Sequence, residues 1–226
     1  MRYLFAVLLL GSMLGAQEPP LTHPADAPDD WMLAHIDVET TGLIPGYNEM
    51  IDIGVILSDL DGNEIARTHF YIMPNFPERT APEVPAINGF DVEKWRNYNA
   101  LSTSEAVDSL VAFYTQHTGG RTVLMVAYNS QFDAAFLDHL FRSANRSWRE
   151  LHYYYVLDLP SMAWALGIRD LWGSRLMEQF GIPEEPHSAD EHTGLRCADG
   201  NIRIYRELLK LTPGKQVRGK SRKSRR

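Results

Sequence analysis

Residues 122–128 read TVLMVAY, a run without a charge. A strand that is apolar on both faces must be covered on both faces, as a parallel strand is inside a sheet flanked by helices. The segment after it, SQFDAAFLDHLFRSA (130–144), carries its apolar residues at helical spacing. Upstream, MLAHIDV (32–38), MIDIGVILSDL (50–60) and IARTHFYIM (65–73) are strand candidates. Thr40-Thr41-Gly42 ends the first, and the hairpin signal Asp61-Gly62-Asn63 joins the second to the third. The three should form an antiparallel meander. Residues 74–102 contain Pro74, Pro77, Pro82 and Pro85 and read mostly as loop with one short helix. SEAVDSLVAFYTQH (104–117) is a helix through Val107, Leu110, Val111 and Tyr114. YYVLDL (154–159) is a short strand, and helices follow at about 159–166, 171–180 and 192–211. Three strands followed by alternating helix and strand make one α/β domain, a single mixed sheet with helices on both faces.

At 226 residues the chain can close one sizeable core without staples. Its single cysteine, Cys197, excludes an intrachain disulfide and a multi-cysteine zinc site. The net charge of −7 argues against a nucleic-acid binder, but the charge is unevenly spread. Eight of the 22 basic residues lie between 210 and 226, where there is no acid. Such an end reads as a solvated, disordered tail that can also hold phosphate backbones near a site. At the other end, Met1-Arg2 precedes YLFAVLLLGSMLGA (3–16), a basic start and an apolar run with the pattern of a secretory signal peptide. The run is shorter than the roughly 20 residues that span a bilayer. We therefore expect residues 1–16 to be removed on export to the periplasm or medium. A misassigned start, leaving the protein cytoplasmic, is the alternative. Residues 17–30 hold four prolines and read as a linker. The domain then runs from 31 to 212, and the basic tail from 213 to 226.

The chemistry lies in carboxylates placed where apolar residues belong. Asp37 and Glu39 stand two apart on the first strand, so both side chains share one face. Adjacent carboxylates repel unless a cation lies between them, and hard oxygen donors suit Mg²⁺ or Mn²⁺. A solvent-facing acidic pair at a strand end is the plainer reading. Asp133 shares a helical stripe with Leu137 and Leu140, where a carboxylate is costly to bury unless paired or metal-bound. Its plainer reading is a first-turn acid favoured by the helix dipole.

HIDVETTGL (35–43) resembles the first motif of the DEDDh 3′–5′ exonucleases, the family of the bacterial polymerase proofreading subunit and ribonuclease T. AYNSQFDAAFL (127–137) is similar to their second motif, and HTGLRCADGNIRIYREL (192–208) to the third. The resemblance covers roughly residues 32–211. It implies a ribonuclease-H-like fold, five strands with the first three antiparallel. It also implies two divalent cations, Mg²⁺ or Mn²⁺, about 4 Å apart at the scissile phosphate. Asp37 would bridge both ions, Glu39 would hold the ion that delivers the attacking water, and Asp133 the other. His192 would be the general base; its rival His187 lies outside the motif. The partner implied is the 3′ end of single-stranded DNA or RNA. Thr40, Thr41 and Leu43 would meet its terminal nucleotide. Asn129 would either contact the substrate or cap the following helix.

The chain departs from that pattern at one position. The family places an aspartate five residues after the histidine, and here that residue is Cys197. Helical spacing puts Cys197, Ala198, Asn201, Ile202, Ile204, Tyr205 and Leu208 on a buried face, and Asp199, Arg203, Arg206 and Lys210 on an outer stripe. Asp199 should then pair with Arg203 at i+4. Three readings stay open. Cys197 faces the site and three carboxylates work alone; or the helix start unwinds and Asp199 swings in; or the domain is catalytically degenerate and binds nucleic acid or a partner. Trp95, Trp148, Trp164 and Trp172 read as core or rim packing.

Overall fold

A computed structural model of the protein describes residues 22–183, 188–189 and 191–212. Residues 1–16, expected to be a leader, residues 17–21 of the expected linker, His187 and the basic tail at 213–226 lie outside the described residues. Among the described residues no helix is long and apolar enough to cross a membrane.

Strand β1 (Trp31–Thr40) organises the molecule, because its two faces belong to two different cores. Met32, Ala34, Ile36 and Val38 face one way and pack with Val107, Leu110 and Tyr114 of α3 (Thr103–Thr118) and with Phe136, Leu137 and Leu140 of α4 (Ser130–Ser143). Trp31 and Leu33 face the other way. They pack with α5 (Leu159–Ala165), α6 (Gly173–Gln179) and Ile204, Tyr205 and Leu208 of α7 (Gly194–Leu211). Each large apolar side chain buried here contributes about 1.5–3 kcal/mol. On the α7 face the apolar series stops after Leu33 and continues as His35, Asp37 and Glu39, so the core gives way to ionisable groups along a single strand.

The sheet order is β3-β2-β1-β4-β5. β1 pairs antiparallel with β2 (Met50–Ser58), which pairs antiparallel with β3 (Glu64–Tyr71). On its other edge β1 runs parallel to β4 (Thr122–Ala127), and β4 to β5 (Val156–Asp158). This is the five-stranded mixed sheet with helices on both faces that the sequence pattern implies. The β1–β4 ladder ends at His35, so β1 runs on past its parallel neighbour. A bulge with Ile51 as the extra residue of β2 then shifts the β1–β2 register between Glu39 and Thr40. The carboxyl ends of the parallel neighbours β1 and β4 lie side by side at one end of the sheet, here called the crevice, and ligands of open α/β sheets bind outside the carboxyl ends of the strands.

The structure differs from the sequence expectation in three places. Residues 74–102 hold two short helices, α1 (Val84–Asn88) and α2 (Val92–Asn97), where one was expected. They form because Val84, Phe90 and Trp95 close a small separate core over Ile51, and Asp91 caps α2 by accepting from Lys94 N. β5 is only three residues long, leaving Tyr154 and Tyr155 exposed. α7 starts at Gly194, with Thr193 as its cap, so His192 lies just before the helix.

Helix α7 sits directly on β2. A Cβ at Gly54 would collide with backbone atoms of Gly194 and Leu195, and one at Gly194 would crowd Asp37 O and Gly54 N. Asn201 Nδ2 donates to Ile36 O at 3.1 Å, and Tyr205 OH donates to Leu60 O at 2.8 Å. The Gly54→Ala variant must therefore push α7 off the sheet. Overpacking against rigid backbone should cost about 2–3 kcal/mol, a fall of several degrees in melting temperature for a domain of this size. Chemical or thermal unfolding of the variant beside the wild type measures it.

Candidate active site

Strand period and helix register bring the ionisable groups to the crevice. Val38 N, freed because β4 has ended, donates to Asp133 Oδ1 at 3.1 Å. Asp133 on the first turn of α4 is thereby fixed beside the residue that separates Asp37 from Glu39. Asp133 is buried, and burial pushes its carboxyl well above the usual carboxylate range, with the charges of Glu39 and Asp158 adding to the shift. Glu39 is held at both oxygens. Its Oε1 lies 2.8 Å from His192 Nε2, and its Oε2 accepts from Asn88 Nδ2 at 3.2 Å. Asp37, half-buried, occupies the register position opposite Gly54, on the same strand face as Glu39.

The third-motif region falls on the same crevice. Cys197 Sγ is 3.9 Å from His192 Nε2, so the thiol faces the site. Asp199 does not. Its carboxylate is paired with Arg203 at 2.5 Å and with Arg67 at 3.1 Å, on the outer side of α7.

The nucleotide-contact candidates divide. Thr41 is buried, and its Oγ1 accepts from Glu49 N at 2.9 Å; Thr40 Oγ1 donates to Gly42 O at 2.6 Å. Both hydroxyls are thus used inside the turn. What the turn offers outward is Leu43, 76% exposed, with Ile44 beside it. Asn129 is exposed in a left-handed conformation (φ 63°), and its side chain does not cap α4; it accepts from Gln131 Nε2 instead. The exposed end of α4 is held by Asp158, which accepts from Ser130 N at 3.0 Å while its other oxygen caps α5. Of the tryptophans read as core or rim packing, Trp95 is core, and Trp164 and Trp172 are exposed.

One acid was missed. Asp52 stands opposite Glu39 in the β1–β2 register and is almost fully buried. It accepts from Gly194 N at 3.1 Å and meets His69 Nε2 at 2.7 Å. Burial raises its pKa, opposed by His69 and reinforced by Glu39. The available signal was a carboxylate inside the apolar MIDIG of β2, the same signal that singled out Asp133. Asn88 carried no such signal, because it comes from a proline-rich stretch without periodicity.

Among the described residues no lysine or arginine pairs with Glu39, Asp52 or Asp133. Neighbouring carboxylates, with Asp133 driven toward its neutral form in part by the charge of Glu39, match the needs of a hard divalent cation. The oxygen donors of Asp37, Glu39 and Asp133 suit such an ion chemically; the thiol of Cys197 does not.

The fold is that of the ribonuclease-H-like exonucleases. A family model for exonucleases, RNase_T, matches residues 35–195, and the chain belongs to that family. The chain is 23% identical over 201 residues to the 3′-5′ DNA exonuclease Cap18 of Escherichia coli, spanning 84% of this chain and 97% of that protein. It is 28% identical over 187 residues to ribonuclease T of Baumannia cicadellinicola, spanning 77% and 81%. Among solved structures it resembles exonuclease I of Methylocaldum szegediense, with a TM-score of 0.65 at 19% identity. That match covers 81% of this chain but only 41% of the other, about two-fifths of its length. A 3′-exonuclease described in 3′-end specific recognition of a histone mRNA stem-loop matches with a TM-score of 0.62 at 13% identity, covering 80% and 81%.

The state of Asp133 is open to a pH test. Its folded pKa lies above its unfolded value of about 3.9. Its contribution to stability is therefore full below pH 4 and is lost as pH rises toward the folded pKa. Asp133→Asn keeps the acceptor for Val38 N and removes the titration. In chelator, the variant should gain stability over the wild type as pH rises from 4 to 8, and match it near pH 3. Urea midpoints across that range measure the difference.

Proposed function

We propose that the protein is a metal-dependent 3′–5′ exonuclease that hydrolyses phosphodiester bonds at the 3′ end of single-stranded DNA or RNA. The observation that carries this reading is the Asp133–Val38 hydrogen bond, which ties the α4 carboxylate to the strand bearing Asp37 and Glu39. Asp37, Glu39 and Asp133 would hold two Mg²⁺ or Mn²⁺ ions, which when bound supply an activated water and neutralise charge at the phosphate. His192 Nε2 would take the proton of the attacking water. In the structure that nitrogen contacts Glu39 Oε1, a contact the cation would take over on binding Glu39, while Asn88 holds the other oxygen of Glu39. The hydroxyls of Thr40 and Thr41 brace the turn that presents Leu43, which would pack against the terminal nucleobase. Asn129, exposed at the head of α4, would reach the strand from the other side. The names of the relatives support the 3′ polarity and leave both nucleic acids as substrates. Export through residues 1–16 stands as a further proposal, checked by the N-terminal mass of protein taken from the host.

Cys197 favours a second reading, a degenerate domain that binds nucleic acid without cutting it, because a soft thiol stands where a hard donor is needed. Labelled single strands of DNA and RNA, incubated with Mg²⁺ or Mn²⁺, separate the two. Under the first reading the wild type shortens them from the 3′ end, and Asp37→Ala loses at least about 99% of the rate with its fold intact, since it removes an acid and no core group. Adding a hard donor by Cys197→Asp should raise the Mg²⁺-dependent rate about tenfold. Asp199→Asn should stay within about twofold of wild type, because it removes only surface ion pairs.

A further inference from the structure

The thiol that fits Mg²⁺ poorly completes a different donor set. Glu39 Oε1, His192 Nε2 and Cys197 Sγ all lie within 4.8 Å of one another. One thiolate, one imidazole and one carboxylate are the donors of zinc-class sites, which commonly use three protein ligands and leave the fourth position to water. We propose that Glu39, His192 and Cys197 form a binding site for one borderline-soft divalent cation, of the Zn²⁺ and Co²⁺ class, in the same crevice as the carboxylates.

The geometry is close to what such an ion requires. Metal–ligand lengths of about 2.0–2.1 Å to nitrogen and oxygen and about 2.3 Å to sulfur, at tetrahedral angles, separate N from O by about 3.3 Å and N from S by about 3.5 Å. The observed separations are 2.8 Å and 3.9 Å. These two differ from the ideal by about half an ångström, and the third, Glu39 to Cys197, lies within 4.8 Å, so the donors close on an ion by movements at the ends of their side chains. The elements that carry the donors are already fixed. Asn88 holds the second oxygen of Glu39, and Asn201 ties α7 to β1 one helical turn beyond Cys197. His192 and Cys197 are only partly buried, which leaves a path for the ion. Binding replaces the thiol proton, which passes to solvent.

The site has a consequence that rests on the exonuclease reading, although the binding itself does not. Once His192 Nε2 is a metal ligand it can no longer take a proton from water. A zinc-class ion would then inhibit the Mg²⁺-dependent reaction reversibly, and the inhibition would depend on Cys197.

Cobalt provides the test, because Cys197 is the sole cysteine and any thiolate-to-cobalt absorption must come from it. The full chain, stripped of metal, is titrated with Co²⁺ and followed in the near ultraviolet. The expected result is a thiolate band that saturates at one equivalent and is displaced by Zn²⁺. Cys197→Ser, with its fold checked by circular dichroism, should lose the band and weaken Zn²⁺ binding at least about tenfold by calorimetry. No band in the wild type, or unchanged Zn²⁺ affinity in Cys197→Ser, overturns the site. In the nuclease assay, Cys197→Ser should need at least about tenfold more Zn²⁺ than wild type for half-inhibition in Mg²⁺; equal inhibition of both overturns the inhibitory role. A chain that shows the cobalt band yet never shortens a nucleic acid keeps the site and loses the exonuclease reading.

Discussion

Helix α7 lies backbone to backbone on β2, and this approach sets where His192 and Cys197 stand against β1. It is possible only because Gly54 and Gly194 leave no Cβ between the two elements. The helix start is then satisfied from within the sheet, by the carboxylate of Asp52 accepting from Gly194 N. Asn201 Nδ2 closes the other contact, on Ile36 O. With α7 held at both places, His192 and Cys197 are delivered to the Glu39 end of β1. A side chain at either glycine would move the donors of the third motif together, since they ride on one rigid element.

The opposite side of the crevice is built by an ending. β4 stops pairing with β1 at His35, and the amide of Val38, left without a strand partner, is taken by Asp133. A buried amide must find an acceptor, and here the acceptor is an acid. The result is an accumulation of carboxylates in a poorly solvated place. Asp52 is eased by His69 and by a helix amide, whereas burial drives Asp133 toward its neutral form against the bonds of its own amide and that of Val38. Structure that would be costly in a core is tolerated at a site where a cation can offset it.

The histidines show how placement decides role. His35, on the same strand face as Asp37 and Glu39, lies deep between β1 and α7. Burial pushes its pKa down to about 3, so it is a neutral core residue hydrogen-bonded to Ser58. His192, at the mouth of the same groove, keeps contact with solvent and with Glu39. The two differ in depth along one face.

Much of this arrangement was legible in the chain. Period-two spacing put Asp37 and Glu39 on one face, and the apolar stripe of α4 made Asp133 conspicuous. Helical register placed Cys197 inward and Asp199 outward, where it pairs with Arg203. Asp52 carried the same signal as Asp133 and could have been read. Asn88 and Asp158 could not, because they act from a loop and a strand end where no periodicity marks a side chain's direction. Thr40 and Thr41 matched a motif, but only the folded turn reveals that their hydroxyls point into it. The sequence by itself determined the order of elements and the face each side chain takes on its own strand or helix, since both follow from local backbone geometry. Only the tertiary structure decided that Glu39, His192 and Cys197 meet. That meeting depends on how closely α7 can approach β2, and the closeness is set by two glycines far apart in the chain.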